Sequence, residues 1–273
     1  MKYCAGSLVK TATVLCLLLS SGLSAAAPVD SVTLAVTTST ENSGLLSYLL
    51  PKMEAATAVR ANVLVSGTGQ ALRQLDRGDA DLVIVHDPVA EARFVETGKA
   101  AQHALLMHNY FLLVGPPDDP AGVAGSPNIA AALAKIGASD SALFVSRGDI
   151  SGTHQRELRL WNAAGIDVGT LGNRYLEGGA GMGRILLMAR EKGAYTLSDG
   201  ATWRHFNAAN ALQVLYGAAP DPELYNPYSV IVGWTESGVA IKVAEWLLGP
   251  EGQREIANYK SNSMQVFFPG PAQ

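Results

Sequence analysis

The sequence predicts an α/β protein of two lobes, joined where the chain crosses between them twice. Three observations carry that expectation. Strand-like runs alternate with helix-like runs, the pattern of α/β architecture with largely parallel pairing. Two breaker clusters, Gly115-Pro116-Pro117-Asp118-Asp119-Pro120 and Pro220 to Pro227, bracket a middle block. Beyond the first cluster the alternation starts afresh, with no internal repeat and no low-complexity tract. The expected limits are 27–111 plus 226–273 for the first lobe and 112–225 for the second, with a cleft between them.

Residues 1–26 read as a secretory signal peptide. Lys2 and Lys10 make a positive start, Thr13 to Leu19 is apolar, and Ser24-Ala25-Ala26 is a small-residue cleavage site. The apolar run is shorter than the ~20 residues of a membrane span. Thr13-Val14-Leu15 before Cys16 is a poor lipidation signal. Both cysteines, Cys4 and Cys16, fall in this leader, so the exported chain is expected to have no disulfide, thiol nucleophile or thiolate metal site. Losing Lys2 and Lys10 takes the 20 basic residues to 18 against 24 acidic ones, a net charge of −6. Without a basic run, nucleic acid and anionic membranes are unsuitable partners. A soluble periplasmic monomer is expected.

The elements follow in order. In Ser31 to Thr37, Val32, Leu34 and Val36 face one way, as in a strand. Leu45, Leu46, Leu49, Leu50 and Met53 recur at helical spacing, with Pro51 a candidate kink. Ala61 to Val65 is a strand, and Gln70 to Asp76 lies in a helix. Asp81 to His86 is nearly all apolar, as in a strand buried on both faces. Tyr110 to Val114 is a strand that runs into the first breaker. Ile129 to Ile136 is a helix, Leu143 to Val145 a strand and Thr153 to Ala164 a helix. Met182, Ile185, Leu186 and Ala189 mark a helix closed by Gly193. Tyr195-Thr196-Leu197 and Tyr228 to Val232 are strands. Helices over Gly238 to Leu248 and Glu251 to Tyr259, split by Gly249-Pro250, close the chain.

Three strand-to-helix loops share one composition. They are Val36 to Leu46, "VTTSTENSGLL"; Val65 to Leu75, "VSGTGQALRQL"; and Val145 to Leu158, "VSRGDISGTHQREL". Ser, Thr and Gly where a helix starts are ordinary caps. Three such loops on units of one α/β chain suggest more. A helix start leaves free N–H donors and a partial positive charge. Hydroxyls add donors, and glycines let the backbone close on an anion. Such loops lie at the carboxyl ends of strands, where open α/β sheets bind ligands. Arg147 supplies a permanent charge suited to an oxyanion. Hydroxyls, amides and one arginine would suit a compact tetrahedral dianion.

Other chemistry fits less well. Ser151 and His154 lack the nucleophile elbow and third group of a hydrolase. His86, His103, His108, His154 and His205 show no zinc-ligand spacing, so no cation site is expected. Gly67-Thr68-Gly69 lacks the rest of a dinucleotide fingerprint. The stretch Glu177 to Gly183 is a glycine-rich segment before a helix, either a lid or a long loop.

The segments "TTSTENSGLL", "SGTGQALRQLDRGDADLVIVHDP", "SRGDISGTH", "KGAYTLSD", "NPYSVI" and "PEGQREIANY" resemble, in order, the tungstate-binding proteins of Tup-type ABC transporters. The resemblance implies a two-lobed periplasmic binding protein fold of type II, like that of molybdate receptors, with two hinge crossings. It implies capture of tungstate, or molybdate, without catalysis or cofactor, and delivery to a membrane permease driven by an ATPase. Ligand residues then fall on Thr38, Ser39, Thr68, Arg147, Ser151 and Thr153. The family's first loop usually reads Thr-Thr-Thr-Ser; here Val36 takes the first place. The stretch from Arg147 to Thr153 also resembles phosphate-binding proteins, in which the aspartate accepts a proton from phosphate. Phosphate, then sulfate, are therefore the alternative anions. Asp149 either faces the ligand or holds Arg147 and caps the helix; the full-length resemblance to tungstate receptors favours the second role.

Overall fold

The computed structural model describes Met1 and residues 30–206, 211–219, 221–234 and 238–270. The expected leader and cleavage site, both cysteines and Pro220 lie outside the described residues.

The first half is built from β1 (Asp30–Thr37), α1 (Thr38–Asn42), α2 (Leu45–Thr57), β2 (Val59–Ser66), α3 (Thr68–Arg77), β3 (Leu82–Val85), α4 (Pro88–Glu96) and β4 (Ala100–Gly115). The middle holds α5 (Ile129–Ala138), β5 (Phe144–Ser146), α6 (Gly152–Ala163), β6 (Tyr175–Glu177), α7 (Met182–Lys192), β7 (Thr196–Asp199), α8 (Gly200–Phe206) and β8 (Gln213–Tyr216). Then come β9 (Tyr225–Gly233), α9 (Gly238–Leu248), α10 (Pro250–Asn258) and three two-residue strands, β10 (Lys260–Ser261), β11 (Met264–Gln265) and β12 (Phe268–Pro269).

The main sheet runs β12-β4-β9-β3-β1-β2, with β7 and β8 also paired to β4. Its first strands are covered on both faces. Val32, Leu34 and Val36 of β1 and Leu82 and Ile84 of β3 join one apolar cluster. Ala35, Val83 and Val85, pointing the other way, join another with Ala71, Leu72 and Leu75 of α3. That is why the run ending at His86 is nearly all apolar. Each large side chain so buried contributes roughly 1.5–3 kcal/mol. Val36, the departure from the family's first loop, is wholly buried in this core.

The expectation of largely parallel pairing needs correction. β1 is parallel to β2 and β3, and β5 to β6. But β9 runs antiparallel to β3, and β4 is antiparallel to β9, β7, β8 and β12. The cause is β4 itself, a 16-residue strand of which only the end was legible in sequence. It runs back through the molecule and serves both lobes. Through Tyr110 it pairs with β9; from Phe111 on it pairs with β7 and β8.

The apolar clusters separate along the same line. Two draw on residues between Val32 and Met107 and between Tyr228 and Phe267, joined by Ala201. The other two draw only on residues between Phe111 and Leu224. The chain therefore crosses twice, between Met107 and Phe111 on β4 and between Leu224 and Tyr228 at the start of β9. The fold is the two-lobed, mixed α/β arrangement expected.

Candidate oxyanion site

The three loops meet at one place. β1 ends in Thr37, whose hydroxyl accepts from Thr40 N and caps α1. This turn buries Ser39 and leaves Thr38 half-exposed. Arg147, on the loop after β5, reaches across and donates to Thr38 Oγ1 from Nη1 and Nη2 at 3.4 and 3.3 Å. The second and third loops touch as well: a methyl built on Gly67 would lie 3.8 Å from Ser151 Cα. The start of α6 abuts the end of β3, where a methyl on Gly152 would come within 2.6 Å of His86 O. Any side chain at 152 would push the third loop off this contact.

All six residues expected at the site lie on these three adjoining loops. Ser151 is the N-cap of α6, accepting from His154 N at 3.2 Å. Thr68 and Thr153 sit in the first turns of α3 and α6 and are 1% and 0% exposed. Their hydroxyl oxygens have no hydrogen-bond partner within the protein. A buried hydroxyl left unpaired costs about 1–3 kcal/mol, so two of them on adjoining loops suit a ligand that accepts hydrogen bonds.

Arg147 is 3% exposed, so it is not a surface arginine. Asp149 grips it, with Oδ2 taking bonds from Nε at 3.1 Å and Nη2 at 2.5 Å. Oδ1 of Asp149 accepts from Ser151 N at 3.0 Å. Asp149 thus takes the second of its two roles, holding Arg147 and bracing the helix start. Burial alone would raise its pKa; the bonds and charge of Arg147, with those of Ser151, outweigh it and hold the carboxyl below the usual range.

Four polar residues around the loops did not enter the sequence reading of the site. Glu157, one turn into α6, accepts from Ser146 Oγ at 2.9 Å and Tyr175 Oη at 2.6 Å. Burial pushes its carboxyl up to about 7 against these donors. His86 bridges Ser39 Oγ at Nε2 and Asn226 Oδ1 at Nδ1, both at 3.0 Å. Asn226 in turn donates to Asn109 Oδ1 at 2.7 Å and Tyr228 Oη at 3.2 Å. Burial pushes His86 down to about 4, with the charge of Arg147 acting in the same direction, so the ring is neutral at pH 7. Asp199, at the end of β7, is fully buried. Its Oδ1 accepts from Thr202 N at 2.8 Å and its Oδ2 has no partner. Burial raises its pKa; the Thr202 bonds and the charge of Arg147 oppose that only in part.

The glycine-rich stretch before α7 also borders the site. Gly181 lies against Thr38 and Asn42. An open groove of about 890 Å³, lined by Thr38, Asn42, Val65, Gly181 and Arg184, gives access from solvent. Among the described residues, no group of three or more His, Asp or Glu is gathered as for a metal cation. No helix among them is long and apolar enough to cross a membrane.

Comparison with known proteins gives one pattern. Residues 24–251 match the model of the PBP superfamily domain. The chain is 40% identical over 237 residues to the "Tungstate-binding protein TupA" of Peptoclostridium acidaminophilum, spanning 84% of this chain and 81% of that one. It is 41% identical over 247 residues to a "Putative ABC transporter anion-binding protein" of Haloferax volcanii, 87% of this chain and 71% of that one. Among solved structures, a tungstate-binding TupA from Desulfovibrio alaskensis superposes with a TM-score of 0.75 at 37% identity, covering 88% of this chain and 99% of that chain.

Proposed function

Because the chain belongs to the PBP superfamily and, within it, to the family of the TupA tungstate-binding proteins, we propose that it is the extracytoplasmic receptor of an ABC importer and captures tungstate between its lobes. One observation carries the reading. A buried arginine, Arg147, and two buried hydroxyls with no partner in the protein, Thr68 and Thr153, lie on adjoining loops from the two sides of the crossing. That set offers charge and donors to an acceptor-only ligand.

In this reading Thr38, Ser39 and Thr68 belong to the first lobe, residues 27–111 plus 226–273. Arg147, Ser151 and Thr153 belong to the second, residues 112–225. The separation of the apolar clusters supports those limits to within a few residues, with Phe111 packing in the second lobe and Ala201 in the first. Closing the lobes would surround the anion, and opening would release it to a permease with its ATPase. A leader ending near Ala26 would place the receptor in the periplasm.

Ser39 needs its proton for this role. With Asn226 Oδ1 facing His86, Nδ1 carries the ring proton and Nε2 accepts from Ser39. Turning both amides, Asn226 and Asn109, moves the proton to Nε2; His86 then donates to Ser39, whose own hydrogen is free for an oxyanion. An acceptor-only ligand favours the second arrangement.

Tungstate and molybdate carry no proton at pH 7, whereas phosphate retains one. The carboxylate that the phosphate-type motif would offer to that proton, Asp149, is committed to Arg147 and Ser151. This favours the aprotic anions. Calorimetric titration with tungstate, molybdate, sulfate and phosphate tests the assignment.

A further inference from the structure

The sequence drew attention to Asp149, but the structure holds a second carboxyl beside the same arginine. β7 follows β5 in parallel at the Phe144–Tyr195 bridge. The carboxyl ends of these strands, Ser146-Arg147 and Asp199, therefore emerge on one side of the lobe. Thr202, just inside α8, donates to Ser39 O at 3.4 Å and ties this corner to the first loop. Asp199 thus sits where Ser39 and Arg147 approach each other. It is fully buried, and its Oδ2 has no partner in the protein.

Charge decides the state in which Asp199 can share the site with a dianion. Arg147 is already balanced by Asp149. An ionised Asp199 would add a third negative charge beside the two on the ligand. Arg147 faces Asp199 from the β5–α6 loop, and Tyr228 from β9. β4 pairs with it at Phe111, and α8, which carries Arg204 and His205 in its last turn, begins at the next residue.

Resting on the oxyanion-receptor reading, we propose that Asp199 sorts anions by their protonation: uncharged, it donates its Oδ2 proton to an oxyanion that has none, and capture of such a dianion draws a proton onto this carboxyl. Tungstate, molybdate and sulfate meet a donor there. Phosphate brings its own proton, and two donors then face each other unless Asp199 ionises. Burial already biases the free protein toward the neutral carboxyl, and an incoming dianion strengthens that bias. Asp199 is a specificity residue acting through one hydrogen bond whose direction is fixed by the ligand.

The test is calorimetric titration of the mature chain with tungstate, sulfate and phosphate between pH 6 and 9, in buffers of different ionisation enthalpy. Wild type is expected to take up as much as one proton per tungstate or sulfate at alkaline pH. Its affinity for both should then fall by as much as about tenfold per pH unit. Phosphate should bind with less uptake. Asp199→Asn keeps a donor and loses the titration. Its tungstate affinity at pH 6 should stay within about threefold of wild type, the scale of one neutral hydrogen bond. Its pH profile should be flatter; Glu157 remains in this variant, so any residual slope belongs to that residue. Equal proton uptake in wild type and Asp199→Asn would overturn the proposal, as would tungstate binding by wild type with no uptake up to pH 9. Should the variant fail to fold, the wild-type proton count still decides. If wild type binds none of the three anions, the receptor reading itself fails, a different result from anion binding without protons.

Discussion

The two sides of the site are built from different chemistry. The first lobe brings neutral groups: Thr38, Ser39 and Thr68, backed by a histidine that burial keeps uncharged. The second lobe brings the ionisable ones: Arg147, Asp149, Glu157 and Asp199. The same burial produces both outcomes. Where a buried group has only neutral neighbours, as His86 does on its own lobe, it gives up its charge. Where a half-buried carboxyl is clasped by a guanidinium, as Asp149 is, it keeps it. The dependence of binding on charge and pH should therefore reside in the second lobe, and the first should contribute geometry.

The largest expected effect comes from breaking the charged side. Arg147→Ala removes a charge-assisted contact of roughly 1.5–3 kcal/mol, which is at least about a tenfold loss of tungstate affinity. Arg147→Lys should recover part of it, because the charge returns without the fork. Unchanged affinity in the alanine variant, measured by calorimetry, would put the anion elsewhere.

A second pair of variants compares one hydroxyl from each lobe. Thr68→Val and Thr153→Val each remove an oxygen that bonds to nothing in the protein. Each should weaken tungstate by roughly 0.5–1.5 kcal/mol while leaving the melting temperature of the free protein unchanged or higher. A drop in that temperature with affinity intact would make the hydroxyl a structural group.

Stability should show the second lobe's charge as well. Glu157 is raised in the folded state from 4.5 to about 7. A raised carboxyl favours the folded state most when protonated, so its contribution is complete below pH 4.5. It is lost as the pH climbs through about 7. The shift corresponds to about 3 kcal/mol. Urea unfolding of the free protein between pH 5 and 8 should show this decline, and Glu157→Gln should flatten it. A wild-type curve that is already flat would mean that Ser146 and Tyr175 keep Glu157 ionised throughout.

The smallest effect belongs to the neutral side. If the ligand turns the Asn109–Asn226–His86 chain, the ¹⁵N shifts of His86 should exchange their protonated and unprotonated positions on adding tungstate. Shifts that stay put would mean Ser39 goes on donating to His86.

How much of this was legible in the sequence follows the range of the interactions. The three loops could be read because capping residues sit beside the helices they start. Ser151 and the turn at Thr68 fell close to where composition placed them. The second crossing lies at its proline cluster, whereas the first lies on β4 between Met107 and Phe111, ahead of Gly115 to Pro120. Most of β4 was not, because its Ala100 to His108 stretch mixes small, polar and large apolar residues with no clean alternation. Partners on both edges hold it in place instead. Glu157 lay on an apparent helix face, and nothing local marked it as the acceptor beneath the Arg147 loop. His86 and Asn226 meet across 140 positions. Asp199 looked like the polar end of a short strand; its proximity to Arg147 exists only once β5 and β7 lie side by side.

The most direct measurement is competition calorimetry on the chain without its leader, titrated at pH 7 with tungstate, molybdate, sulfate and phosphate. The expected result is one tungstate or molybdate per chain, bound more tightly than sulfate and much more tightly than phosphate. Phosphate binding tighter than tungstate would contradict the ligand assignment, and no binding of any of the four would contradict the receptor itself.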